Sequence, residues 1–323
     1  MKKSVFVSRQ LPGEGLRRLS EVCELKVWPD PGPISPELLR GEMSGVHGLL
    51  CMLTDRIDRS LIASLPELEF VSSMSVGVDH IDVGAMTNRK LPVGHTPGVL
   101  VETTADTAFA LLLAAARRIA ESDRFIRHGQ WSPSNVWSPD FFVGKDLGGA
   151  TLGIIGLGEI GKAVARRATG FGMKLVASNR SAVSVPGIDI LPLEELLASS
   201  DFISVHVALT DDTRNLLSAE RIALIKPGAV LVNTARGGII DEAALAQALT
   251  DGRLSAAGID VFSEEPITRD NPLLNLPNVV LTPHIGSASA RTRNRMADMA
   301  VANAIAALAG EAMPCCVNPQ VYV

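Results

Sequence analysis

The stretch Thr151-Leu-Gly-Ile-Ile-Gly-Leu-Gly-Glu-Ile-Gly161 decides the fold. It reads as a short apolar strand, a glycine turn and the start of a helix. The glycines stand at Gly156, Gly158 and Gly161, the spacing of a dinucleotide fingerprint. Gly156 permits the tight turn. Gly158 lets backbone N–H groups approach a pyrophosphate, which would rest on the positive end of the helix beginning near Ile160. Gly161 lets that helix pack close to the strand. G-x-G-x-x-G alone is weak, but here an apolar run precedes it and Ile160, Ala163, Val164 and Ala168 give the next stretch one apolar face. A strand-to-helix turn without a ligand is the competing reading.

The following strand, Met173-Lys-Leu-Val-Ala-Ser178, selects the cofactor. An NAD site wants a carboxylate at its end for the ribose hydroxyls. The chain instead reads Asn179-Arg180-Ser181. Arg180 would attract a 2′-phosphate that an Asp would repel, with Asn179 and Ser181 as neutral partners. NADP(H) is therefore favoured and NAD(H) remains possible, with Arg180 as a mere surface charge in the second case.

Outward from this segment, strand-like and helix-like stretches alternate, which indicates an α/β protein with parallel sheets. Strands at Ser4–Ser8, Glu24–Trp28, His47–Leu53 and Glu69–Met74, with a helix near Gly13–Ser20, suggest a first, smaller α/β domain. Val101–Ile119 reads as one long Ala/Leu-rich helix, apolar on every face over Ala108–Ala116 and so buried in the chain or against a partner. The second half of Glu121–Leu147, with Trp137, reads as a loop or arm. Strands at Phe202–His206, Val230–Asn233, Ala256–Asp260 and Val279–Thr282 continue the second domain, and a last helix spans Ala288–Leu308.

The 323 residues suggest about two domains. Thirty basic against 35 acidic residues, net charge -5, argue against nucleic acid as a partner. The 46% hydrophobic content and mean hydropathy of +0.23 permit a large core. No stretch reads as a signal peptide or approaches the ~20 apolar residues that span a bilayer. Cys23, Cys51, Cys315 and Cys316 match no metal or redox spacing and read as free thiols in a reducing cytoplasm.

Ligands of open parallel sheets bind beyond the carboxyl ends of the strands. Three strands end in reactive groups there: Arg236, the carboxylates from Asp260 to Glu265, and His284. Beside a nicotinamide, such a set makes a carbonyl-reducing site. The Arg would grip a 2-keto acid, the His would deliver the proton, and the Glu would orient the His.

With these residues in place, the chain resembles the D-2-hydroxyacid dehydrogenase family and is most similar to its glyoxylate/hydroxypyruvate reductase branch. The resemblance is carried by Ser75-Val-Gly-Val-Asp-His-Ile-Asp82, Thr96-Pro-Gly-Val99, Leu152–Gly161, Asn233–Gly237, Gly258–Val261, Glu265-Pro266, Pro283-His-Ile-Gly-Ser287, Arg291–Met296 and Gly310-Glu-Ala-Met-Pro314. It implies Arg236, Glu265 and His284 as catalytic residues, without a metal. It implies backbone N–H groups of Val76 and Gly77 on the substrate carboxylate, with Ser287 as a further substrate contact. Gly158, Glu159 and Ile160 would face the pyrophosphate, Ala208, Thr234 and Gly286 would line the cofactor, and Asp260 would face the nicotinamide carboxamide. Asp79, His80 and Asp82 are expected to cap the helix after the Val76-Gly77 turn, and His95 is given no role.

The implied architecture is two Rossmann-like or flavodoxin-like doubly wound parallel-sheet domains, with the active site in the cleft between them. Residues 1–96 plus 286–323 would form the substrate-binding domain and 97–285 the dinucleotide-binding domain. A homodimer is expected, with Trp137 reaching the partner's substrate site. The expected reaction is NADPH-dependent reduction of glyoxylate to glycolate and of hydroxypyruvate to D-glycerate. The open alternatives are a D-3-phosphoglycerate or D-lactate dehydrogenase and a dinucleotide-sensing, corepressor-like binding protein.

Overall fold

The computed structural model describes residues 2–323. The chain divides into two compact units, residues up to Leu100 with Ala288–Val323, and Val101–Ser287. These crossings fall slightly later than junctions at 96/97 and 285/286. Val99 is buried with Val5, Val7, Met74 and Met296 in the first unit's core, and the Gly286 N–H is bonded to Asp260 in the second. Each short segment stays with the unit that satisfies it.

The first unit is built on a five-stranded sheet in the order β2-β1-β3-β4-β5. Its strands are β1 (Ser4–Val7), β2 (Glu24–Val27), β3 (Gly48–Cys51), β4 (Phe70–Ser73) and β5 (Val93–Gly94), all parallel. Alternation along the strands sends side chains to opposite faces. Phe6, Leu49 and Val71 share one core with the helices Pro36–Glu42, Arg59–Ala63 and Val83–Asn88. Val5, Val7, Leu50 and Phe70 share the other with Met296, Ala300 and Ala304 of the helix Ala290–Leu308. Both faces are covered, so β1, β3 and β4 are buried almost throughout, while β2 at the sheet edge exposes Glu24 and Lys26.

The second unit carries a seven-stranded parallel sheet. Its strands are β6 (Thr151–Ile155), β7 (Lys174–Ser178), β8 (Asp189–Ile190), β9 (Phe202–Val205), β10 (Ala229–Asn233), β11 (Leu254–Ile259) and β12 (Val279–Leu281). The order is β12-β11-β10-β9-β6-β7-β8, so the winding reverses between β6 and β9, where a doubly wound sheet opens its ligand crevice. Gly258 is needed because β11 passes under the helix Val101–Ala116, where a Cβ would lie 2.8 Å from that of Leu111.

That helix departs from the sequence reading. It ends at Ala116, and a second helix, Ile119–Arg127, follows after Arg118 turns left-handed at φ 54°. The Lys145 N–H caps the freed Ala116 carbonyl at 2.8 Å. Within one chain the helix is mostly buried over Ala108–Ala116, with Ala110 exposed. An Ala/Leu run hides such a break because neither residue type marks it. No helix among the described residues is long and apolar enough to cross a membrane.

The Gly258 contact yields a paired test. Gly258→Val should destabilise the protein by roughly 1–3 kcal/mol through overpacking. Gly170→Ala, in a helix and with nothing within 4 Å of the new methyl, should be neutral or stabilising by up to about 1 kcal/mol. Urea unfolding midpoints compare the two.

Candidate active site

At the end of β6 the glycine turn has the form the fingerprint requires. Gly156 has φ 96°, and a Cβ there would lie 2.8 Å from Val207 and 2.9 Å from the His206 carbonyl carbon. A Cβ on Gly161 would collide with the Gly156 carbonyl oxygen. Gly158 precedes the helix Glu159–Gly170, whose N-terminus has no side-chain cap, and nothing lies within 4 Å of its Cβ position. An uncapped twelve-residue helix with a bare glycine at its head is a seat for an anion. The Thr234 hydroxyl is buried without a hydrogen-bond partner among the described residues, a polar atom that a ligand would satisfy. These features fit a dinucleotide.

Asn179 accepts a hydrogen bond from the Leu157 N–H at 3.1 Å and donates to the Ser181 carbonyl at 2.9 Å. It thereby ties the end of β7 to the glycine turn. Arg180 is exposed and pairs with Asp212 at 3.3 Å, an ion pair of little energetic weight. The Ala208 carbonyl accepts the Thr213 hydroxyl at 2.6 Å.

Arg236, Glu265 and His284 are carried by the ends of three neighbouring strands. Beyond β10, the Asn233 side chain accepts the Ala235 N–H at 3.0 Å and donates to the Arg236 carbonyl at 2.9 Å, folding the chain at Arg236. Gly237 then packs so tightly on Phe262 that a Cβ would overlap its carbonyl. Beyond β12, His284 has φ 54°, unusual for a residue with a side chain. Its Nδ1 lies 2.7 Å from Glu265 Oε2, while Glu265 Oε1 accepts the Phe262 N–H at 3.0 Å. Burial alone would raise the Glu265 carboxyl, but the His284 hydrogen bond and charge, the Phe262 N–H and Arg236 together hold it below the usual glutamate value. With Nδ1 committed to the carboxylate, Nε2 is the atom left for proton exchange. His206, at the end of β9, is pushed down to about 4 by burial and is neutral at ordinary pH.

Asp260 holds the turn that carries His284. It is fully buried. One oxygen accepts the Thr282 hydroxyl at 2.6 Å and the Ile285 N–H at 2.8 Å, and the other accepts the Gly286 N–H at 2.8 Å. These donors fix the His284 turn around its carboxylate. The Gly286 N–H is consumed by the same contact, and Ser287 beyond it is buried.

In the first unit, Val76 and Gly77 are half-buried in the turn after β4. The Ser75, Val76 and Gly77 carbonyls accept from the Thr96 N–H at 2.8 Å, the His95 imidazole at 3.1 Å and the Ser75 hydroxyl at 2.7 Å. Asp82, not its neighbours, caps the helix Val83–Asn88, through the Ala85 N–H at 2.8 Å. The His80 ring instead lies 3.0 Å from the Ser73 hydroxyl, because the turn carries it back over the end of β4. The sequence reading gives His95 no role, and its ring bonds the Val76 carbonyl. Its one signal was a position directly beyond β5, where this fold gathers ligand-facing groups.

The model of the D-isomer specific 2-hydroxyacid dehydrogenase NAD binding domain matches residues 109–286. A glyoxylate reductase of Korarchaeum cryptofilum is 46% identical over 99% of this chain and 97% of its own. A crystal structure of a Thermus thermophilus protein superimposes with a TM-score of 0.90 at 45% identity, over 97% of this chain and 99% of that one. The NADPH-dependent glyoxylate/hydroxypyruvate reductase of Sinorhizobium meliloti, in complex with NADP and malonate, gives 0.88 at 33% identity, over 99% and 98%. A glycine cradle for a dinucleotide, a carboxylate-held histidine and full-length likeness to enzymes of one kind converge: the chain belongs to the D-isomer specific 2-hydroxyacid dehydrogenases and is an oxidoreductase dependent on a nicotinamide dinucleotide.

Proposed function

We propose that the protein uses NADPH to reduce small 2-keto acids, glyoxylate to glycolate and hydroxypyruvate to D-glycerate, as a cytoplasmic homodimer. The observation that carries this reading is the 2.7 Å bond between His284 Nδ1 and Glu265, which leaves Nε2 to protonate a carbonyl oxygen. When bound, the reduced nicotinamide supplies the hydride. Arg236 grips the substrate through its carboxylate and carbonyl oxygens, and draws charge onto the latter as the alkoxide develops. His284 Nε2 passes its proton to that alkoxide, and ionised Glu265 stabilises the imidazolium beforehand. The N–H groups of Val76 and Gly77 take the substrate carboxylate, and Ser287 is a further substrate contact.

On the cofactor side, Gly156, Gly158, Glu159, Ile160 and Gly161 seat the pyrophosphate. Ala208, Thr234, Asp260 and Gly286 shape the pocket for the rest of the dinucleotide. Arg180 takes the 2′-phosphate with Asn179 and Ser181, since its exposed pairing with Asp212 is readily exchanged. The NADP-bound relative from Sinorhizobium meliloti supports that preference. Exposed Trp131, Val136, Trp137 and Val143 on the irregular arm support a second copy of this chain as partner; on this reading Trp137 extends to the partner's substrate site.

Three measurements test this. His284→Gln should lower kcat/KM for glyoxylate about 10²–10⁴-fold. Unchanged kinetics in the variant would sink the assignment. Arg180→Ala should weaken NADPH by about 10–100-fold, the worth of a charged hydrogen bond, and leave NADH nearly unaffected; equal losses for both would remove the 2′-phosphate role. The third concerns acid stability. The Glu265 carboxyl is depressed in the folded state, so its stabilisation is present above its unfolded value and is lost as pH falls through the folded one. Glu265→Gln should therefore flatten the acid limb of melting temperature against pH.

A further inference from the structure

We propose that His95 is a positioning residue for the substrate carboxylate, acting through the Val76–Gly77 peptide. The proposal rests on the reading of the Val76 and Gly77 N–H groups as the carboxylate seat. Three successive carbonyls in that turn each accept one hydrogen bond: Ser75 from the Thr96 N–H, Val76 from His95 Nδ1, and Gly77 from the Ser75 hydroxyl. A carbonyl that accepts a hydrogen bond polarises its own amide, and the N–H of the next residue becomes a stronger donor. Thr96 thus acts on the Val76 N–H, and His95 acts on the Gly77 N–H. Among the described residues, neither N–H has a protein acceptor. They are the two donors of the turn left for an anion.

Valence fixes the protons. A carbonyl oxygen only accepts, so His95 Nδ1 carries a hydrogen. Ser75 gives its hydroxyl proton to Gly77, so it accepts from Ser73, 2.7 Å away. Ser73, its proton spent, accepts from His80 Nε2 at 3.0 Å. The bonds that Ser73, Ser75 and His95 make here therefore all donate toward the turn's carbonyls.

His95 is itself held firmly. Its N–H donates to the Cys315 carbonyl at 3.1 Å. Its carbonyl accepts from Asn303 Nδ2 at 3.0 Å, and Asn303, fully buried, also accepts the Cys315 N–H at 3.0 Å. The imidazole is delivered to Val76 from a backbone pinned on both sides, so its loss would loosen the seat without removing a group that touches substrate.

The test compares wild type with His95→Leu, which has no N–H, and His95→Asn, whose amide can reach the same carbonyl. Two readouts are taken: glyoxylate saturation kinetics at saturating NADPH, and calorimetric titration with oxalate, a carboxylate that is not reduced. For His95→Leu, the glyoxylate KM and the oxalate Kd should rise about five- to tenfold, the worth of one neutral hydrogen bond, with a smaller fall in kcat. His95→Asn should stay within about twofold of wild type, its amide replacing the donor. Leucine values within that same range, or equal impairment of both variants, would overturn the proposal. If His95→Leu does not fold, His95→Met supplies a second apolar replacement read by the same criteria. A wild type that binds oxalate but does not reduce glyoxylate would sink the reductase reading and leave the oxalate comparison to decide the role of His95. A wild type that reduces glyoxylate with an unaffected His95→Leu would sink this inference alone.

Discussion

A single buried carboxylate holds the turn that carries His284. Asp260, at the end of β11, accepts from the Thr282 hydroxyl and the N–H groups of Ile285 and Gly286, while its own carbonyl accepts the His284 N–H at 2.8 Å. These bonds bracket His284 on both sides and hold it at a positive φ, a conformation that costs of order 1–3 kcal/mol unless its surroundings impose it. An acceptor on which three donors converge can impose it. Glu265 then meets an imidazole already in place.

Parallel sheets make this arrangement economical. Every strand of the second unit runs in one direction, so the residues that follow β6, β7, β10, β11 and β12 all emerge at one edge. Residues far apart in sequence become neighbours without any long side chain having to reach. The glycines serve the same end from the other side. Gly156, Gly161, Gly237 and Gly258 occupy sites where a methyl group would meet backbone or a packed side chain, so turns and helices can approach the edge closely enough to form a cradle.

What could be read in the sequence was local or periodic. The glycine turn, the apolar strands and the reactive residues at strand ends each declare themselves within about ten residues. What could not be read depended on contacts between distant segments. The break at Arg118 is set partly by Lys145, which caps Ala116 across the arm. The bonds that tie Asp260 to Thr282, Ile285 and Gly286 join residues more than twenty positions apart. His95 gains its place from Asn303 and Cys315, more than 200 residues further along, and no spacing rule links them.

The two units solve opposite electrostatic problems with the same device, a polar group spent on backbone. In the second unit an acceptor, Asp260, gathers N–H groups, and what it releases is an imidazole free at Nε2 to give up a proton. In the first unit donors gather on carbonyls, Thr96 on Ser75, His95 on Val76 and Ser75 on Gly77, and what they release is a pair of N–H groups free to receive an anion. Each of these groups is half-buried and would be weakly directed alone. Its direction comes from neighbours that never touch substrate, because a peptide plane bonded on its carbonyl side can present its N–H only one way.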